Sequence, residues 1–336
     1  MRVTGGSELA RMKMLQRLAI ETRNKIDTAG EEMTSGLNSS RYEATGGNLT
    51  RLFALERSLD RNGVFTATIS LTETRLDVMQ TALGNILSPI EDLSVDMSAA
   101  VGIGDQAAAL THARTARQAF ANTVSSLNSQ VAGQSLFAGT ATDRPALANA
   151  DAMLADLDTL AQGSATAADA IAAIDAYFAK PAGAFYTTGY TGSADDLTPV
   201  DIGEGTRLDY GVRADQDELV AVLRSQAMAA VVAGGAFNGD ADAQMALIGE
   251  AAASMLSAKE GVLDLRSSLG TRQEALETAK AQRTAERETL DLARNTIVAT
   301  DPLEAASNFD ALENQLNAIY TVTARLSSLR FLNFMS

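Results

Sequence analysis

Along residues 49–100 apolar positions recur at alternating steps of three and four: Leu52, Leu55, Leu59, Asn62, Thr66, Ile69, Glu73, Leu76, Gln80, Leu83, Leu87, Ile90, Ser94 and Met97. A step averaging 3.5 residues keeps a stripe on one face only if the helix winds around a partner. The pattern therefore predicts a helix of about 50 residues, roughly 75 Å long, in a coiled coil or bundle. Asn62, Thr66, Glu73 and Gln80 put polar groups in the stripe, which weakens a two-stranded zipper and predicts several helices around this one. Gly84 and Pro89 predict a kink near Ser88.

A second stripe of the same period, Ala258, Val262, Leu265, Leu269, Arg272, Leu276, Ala279, Arg283, Glu286, Leu290, Ala293 and Ile297, predicts a partner for the first. Arg266, Lys280, Arg287 and Arg294 lie beside it at multiples of seven, facing carboxylates of a neighbour or, more simply, solvent. Shorter amphipathic helices flank both. Met12, Leu15, Ala19, Thr22, Ile26, Ala29 and Met33 mark one that stops at Ser35-Gly36. Phe309, Leu312, Leu316, Ile319, Thr323 and Leu326 mark another, opened by Asp301 as N-cap and Pro302 at the first helical position. A helix through Leu110, Ala113, Arg117, Phe120, Val124, Leu127 and Val131 follows the first long one. Another, through Leu219, Val222, Leu223 and Met228, precedes the second and ends at Gly234-Gly235.

Between these elements the pattern changes. Residues 151–160 and 167–178 keep a helical period, whereas 184–212 are rich in Gly, Thr and Tyr and read as strands and turns, with a hairpin about Gly203-Glu204-Gly205. The fold class that follows is mainly α: a long antiparallel coiled-coil or helical-bundle rod made by paired N- and C-terminal segments, with a small inserted α+β outer domain. The expected divisions are 1–48 (terminal helix and linker), 49–139 (first half of the rod), 140–213 (inserted domain), 214–299 (second half of the rod) and 300–336 (C-terminal helix). Gly139 and Ala214 flank the insertion, whose ends should meet and which should be separable from the rod.

Composition narrows the chemistry. Hydrophobic residues make up 46% of the chain, enough for buried cores, but only 5% is aromatic, with no Trp and no Cys, which suits helix-on-helix packing and excludes thiol chemistry. A net charge of -15 repels phosphate backbones and anionic lipid, so no nucleic-acid partner is expected. Residues 1–18 hold no apolar core of signal-peptide length, and no run approaches the roughly 18 apolar residues of a membrane span. His112 is the only histidine, so a zinc site of His and Cys ligands is out of reach. Gly102-Ile103-Gly104 and Gly203-Glu204-Gly205 lack the lysine and flanking glycines of a phosphate loop and read as turns. Asp195-Asp196 and Glu31-Glu32 have no ligand spacing. No catalytic residue, metal ligand or cofactor site is expected.

Several stretches resemble the flagellin superfamily of bacterial axial proteins. Met33-Thr34-Ser35-Gly36-Leu37-Asn38 is similar to the family's "SSGLR/SGKR" turn after the first helix. Ser135-Leu136-Phe137-Ala138-Gly139-Thr140 with Thr142 is similar to "YLFSGTKT" of its hook-junction members, and Asp201-Ile202-Gly203-Glu204-Gly205 to Val212, then Asp217, to their "IGxGxxVxxNVxGxE" hairpin. Asp301-Pro302-Leu303-Glu304-Ala305-Ala306 and Thr323-Ala324-Arg325-Leu326-Ser327 resemble the family's last helix. Two places depart from it: Ser39-Ser40-Arg41-Tyr42-Glu43-Ala44-Thr45-Gly46-Gly47 replaces the usual "PSDDP" or "SAKDDAAG", and Phe331-Leu332-Asn333-Phe334-Met335 replaces the common "LSLL"-like finish.

The resemblance implies a secreted structural subunit, exported by the flagellar type III pathway, that self-assembles in a helical lattice between hook and filament. Its expected partners are a neighbouring hook-associated protein, flagellin and, before secretion, an export chaperone. Apolar residues of the terminal helices, Leu15, Ile26, Met33, Leu312, Leu316, Ile319, Leu326 and Leu329, are the expected assembly interface. A filament subunit is the alternative. A coiled-coil signalling protein and an enzyme housed in the insertion are more distant ones.

Overall fold

The computed structural model describes residues 4–335, with side-chain surroundings for 10–42 and 44–328. The chain runs through α1 (Thr4–Ser35), the one-turn α2 (Arg41–Ala44) and the 54-residue α3 (Thr50–Ile103). Gly104 then takes a left-handed φ of 75°, and the Asp105 carboxylate accepts from the Ala108 N–H to open α4 (Gln106–Leu127). After α4 come a two-residue-per-strand hairpin, β1 (Gln130–Val131) with β2 (Gln134–Ser135), and the helices α5 (Ala150–Gln162) and α6 (Ala167–Tyr177). A π-helical turn (Phe185–Gly189) precedes a second antiparallel hairpin, β3 (Val200–Gly203) with β4 (Thr206–Leu208). The helices α7 (Asp217–Ala233), the 58-residue α8 (Ala241–Val298) and α9 (Pro302–Met335) complete the chain. The result is a mainly α fold with small antiparallel hairpins.

α3 continues as one helix through Pro89. The expected helix through Val131 instead ends at Leu127, and Val131 lies on β1, turned by the left-handed Ala132 and Gly133 that follow it. Residues 184–212 are only partly extended, because Phe185 is fully buried and packs its ring 5.3 Å from Phe178 and 5.1 Å from Tyr186, holding that stretch in a helical turn. Burial acts on polar groups here too: with Asp156 nearby, it pushes the buried Tyr177 phenol up to about 12, so the hydroxyl stays neutral.

The chain divides into two compact units, residues 64–283 and residues 1–63 with 284–336; α3 and α8 contribute to both. In the central unit the seam of α3 is buried at Ile69, Leu76, Leu83, Ile90 and Met97, with Met79 and Ile86 beside it, and that of α8 at Val262, Leu269 and Leu276, with Met255 before it. Each large aliphatic side chain removed from water stabilises by about 1.5–3 kcal/mol. Burial alone does not fix how far one helix slides along another. Polar groups beside the seam do: Lys280 Nζ lies 2.7 Å from Glu73 Oε2, Gln273 donates to Asp77 at 2.7 Å, Gln80 donates to the Arg266 carbonyl at 2.7 Å, and Lys259 pairs with Glu91 at 2.7 Å. As the α3 number rises the α8 number falls, so the helices are antiparallel in one register.

The segment 140–213 does not form a core of its own. Met153, Leu154, Leu157, Ile174, Phe185 and Ile202 belong to the same buried cluster as α3, α4, α7 and α8. Arg117 on α4 clamps Asp158 on α5 with two bonds of 3.0 and 2.8 Å and also donates to the Ala230 carbonyl of α7. The Asn128 side chain after α4 exchanges two hydrogen bonds with the Leu147 backbone. The ends of the segment do meet. Ala214 N–H donates to the Phe137 carbonyl at 2.9 Å, and Gly139, at φ 60°, passes so close to the Asp195 carbonyl that a Cβ would stand 2.4 Å from it.

Replacing residues 141–212 by a short Gly-Ser linker is therefore expected to uncover the α4–α7 face. Circular dichroism should show a broad, noncooperative melt, whereas a sharp transition with the helical signal of the remaining residues intact would mean that the segment is independent of the core.

Candidate assembly surface

The second unit joins the two ends of the chain. α1 stops where Gly36 takes φ 69° and returns its N–H to the Glu32 carbonyl at 2.9 Å, a left-handed helix end that a residue with a Cβ adopts only under strain. The chain then forms a single antiparallel bridge, Leu37 opposite Ala299. Asn38 N–H donates to the Val298 carbonyl at 2.8 Å and Thr300 N–H to the Gly36 carbonyl at 3.1 Å. Glu32 accepts from both the backbone N–H and the hydroxyl of Ser39, at 2.8 and 2.6 Å, fixing the linker from the α1 side. On the other side the Asp301 carboxylate accepts from the Leu303 N–H at 2.8 Å, the N-cap expected of an Asp-Pro pair.

This bridge, with its two hydrogen bonds, sets α1 and α9 side by side and antiparallel. Gly30 lies against Phe309, whose ring would stand 3.5 Å from a Cβ at that position, and the Arg23 guanidinium lies 5.8 Å from the centroid of the Tyr320 ring. Thr22, Ala29, Ala305 and Ile319 are buried on the facing sides. Where α3 and α8 enter this unit, the buried Asn62 donates to Glu286 at 3.2 Å, and Arg41 on α2 pairs with Glu56 at 2.9 Å.

Of the eight expected interface residues, Ile319 is buried, and Leu15, Ile26, Leu312, Leu316 and Leu326 are half-buried on the face that α1 and α9 turn to each other. Met33 is exposed, and Leu329 lies outside the residues whose side-chain surroundings are described. Besides Met33, the exposed apolar side chains of α1 and α9 include Met14 at 71%, Ile20 at 62% and Leu303 at 79% exposure, with Val322 and Tyr320 less so. Met14, Ile20 and Leu303 lie off the three-four stripe, where periodicity marks no buried face. Their only signal in the sequence is that they are apolar at positions where an amphipathic helix would carry polar groups. Elsewhere His112 is half-buried on α4, and among the described residues no three His, Cys, Asp or Glu side chains gather as a metal site. No helix is long and apolar enough to cross a membrane, among the described residues.

Residues 252–335 match the model of the bacterial flagellin C-terminal helical region, and the Asp301-Pro302 motif lies within that stretch. The crystal structure of Bacillus cereus FlgL shares this fold, with a TM-score of 0.51 at 14% identity over 72% of this chain and all of that one. A protein from Vibrio parahaemolyticus described as a flagellar hook-associated protein aligns with a TM-score of 0.46 at 16% identity, covering 73% of this chain and 95% of that one. A search of curated proteins returned no match by sequence.

The buried and exposed apolar groups should respond differently to charge. Ile319→Asp is expected to cost at least about 3 kcal/mol by placing a carboxylate in the α1–α9 contact. Amide hydrogen exchange should then accelerate in both helices, whereas Met14→Asp should leave protection in both unchanged. Equal protection in the two variants would mean that α1 and α9 do not stabilise each other.

Proposed function

We propose that this chain, whose C-terminal helices match those of flagellin, is a structural subunit of the bacterial flagellum that joins the hook to the filament. The observation that carries the reading is the pairing of α1 with α9, which still leaves Met14, Ile20 and Leu303 exposed. A chain of net charge -15 gains nothing in solution from large apolar side chains on its surface, but a lattice that covers them gains their burial. The role is architectural rather than enzymatic, and the site of action is the extracellular flagellum at the hook-filament junction. Neighbours there are further copies of the chain, a second hook-associated protein and flagellin, with an export chaperone covering the apolar groups before secretion. The expected interface residues Leu15, Ile26, Leu312, Leu316, Ile319 and Leu326 then act indirectly, by holding the helix pair whose outer sides meet the neighbours. Met33, exposed, meets them directly.

A filament subunit is the second reading, favoured by the match of residues 252–335 to the flagellin region. Cells lacking the chain separate the two. The junction reading predicts intact hooks without filaments and flagellin shed into the medium, both restored by the wild-type chain. Hooks bearing filaments of reduced length would identify a filament subunit, and normal filaments would remove both roles.

A further inference from the structure

The two long helices of the central unit are weakened at one and the same level. Lys259–Glu91 on one side and Gln273–Asp77 on the other fix the antiparallel register of α3 and α8. Counting along each helix between these two locks sets Pro89 opposite Gly261, Gly84 opposite Arg266 and Gln80 opposite Gly270. Glycine loses more freedom than alanine on entering a helix, so an interior glycine is a cost unless close packing calls for it. At Gly261 packing does call for it: a Cβ there would stand 3.0 Å from Glu218 Cγ in the first turn of α7. At Gly84 and Gly270 it does not, since nothing lies within 4 Å of where a Cβ would stand.

The backbone ladder is thinned at the same level. Pro89 has no N–H to give to the Asn85 carbonyl one turn before it, although α3 continues through it. In α8 the Arg266 carbonyl, which in a regular helix takes the Gly270 N–H, also accepts from Gln80 Nε2 at 2.7 Å, while Arg266 Nε donates to Gln80 Oε1 at 3.2 Å. The apolar contact is kept throughout, with Leu83, Ile86, Ile90, Val262 and Leu269 buried. Helices that are weak in their own ladders but joined by an intact seam bend rather than separate. We propose that residues 80–90 of α3 and 261–270 of α8 form a flexural joint, at which the central unit changes angle while both helices and their register persist. The locks on either side prevent sliding, so bending is the motion left to the pair. The joint is a property of these two helices and does not depend on the flagellar reading.

Spin-label distances in the full chain test it, since the chain has no cysteine of its own. Ser70→Cys and Ser98→Cys, both at exposed positions of α3, place labels on either side of the joint, about 42 Å apart along a straight helix. Their distance distribution should be broad, and Gly84→Ala with Gly270→Ala should narrow it without changing circular dichroism. The same two substitutions should slow amide exchange in residues 80–90 and 261–270 by about fivefold or more relative to the flanking turns. Pro89→Ala, which supplies the N–H that the Asn85 carbonyl lacks, should act in the same direction. Gly249→Ala changes an interior glycine of α8 outside the joint, where a Cβ would meet only Val101 at an ordinary 3.5 Å, and should leave the distribution unchanged. A distribution that the joint substitutions do not narrow, wild-type exchange no faster in these stretches than in the turns beside them, or equal narrowing by Gly249→Ala would overturn the joint.

Discussion

The structure depends on a constraint far from its core: α1 and α9 bury apolar side chains against each other, and the Leu37–Ala299 bridge sets where that contact begins. One extended residue on each strand, two backbone hydrogen bonds, a left-handed glycine on one side and an Asp-Pro cap on the other hold the two linkers together. Without the bridge, helices of 32 and 34 residues would each present a half-apolar face to water. With it, α1 and α9 become one structural unit.

The same logic governs the long helices. Apolar stripes supply most of the stability but tolerate sliding by a heptad. The polar residues within and beside them do not, since a displaced Glu73 or Gln80 would lose Lys280 or Arg266 and leave a half-buried polar group unpaired. Asn62, buried against Glu286, does the corresponding work in the terminal unit. Stability therefore resides in the leucines and isoleucines, and register in the polar interruptions that looked like weaknesses of the stripe.

Much of this was legible from periodicity. The two long helices, both terminal helices, the Gly36 stop and the Asp301 cap each carry a local signal whose physics is independent of tertiary context. Less legible was what covers a stripe, because a three-four pattern marks a buried face without naming its partner. The seam residues Leu312, Leu316 and Ile319 are half-buried or buried within the paired terminal unit, while the exposed side chains Met14, Ile20 and Leu303 lie off the stripe. The Phe185–Gly189 turn was hidden for a different reason: its Gly, Thr and Tyr content favours strands, and burial of Phe185 against Phe178 overrides that preference. The hairpin at Ala132-Gly133 has two residues per strand, too few for alternation to register. The shared core of residues 140–213 also has no sequence signature, because the side chains that make it lie far apart in the chain.

The pairing of the chain ends can be measured directly, since the chain has no cysteine of its own. Leu37 and Ala299 face each other across a bridge of the non-hydrogen-bonded kind, in which Cα atoms stand about 4.5 Å apart, within the span of a disulfide. In the full chain carrying Leu37→Cys and Ala299→Cys, mild oxidation should close an intramolecular disulfide nearly quantitatively, seen as a mobility shift that reductant reverses, with the helical signal unchanged. Thiols that stay free in the folded monomer, or that link only between molecules, would show that the two ends are not paired and would contradict the account at its base.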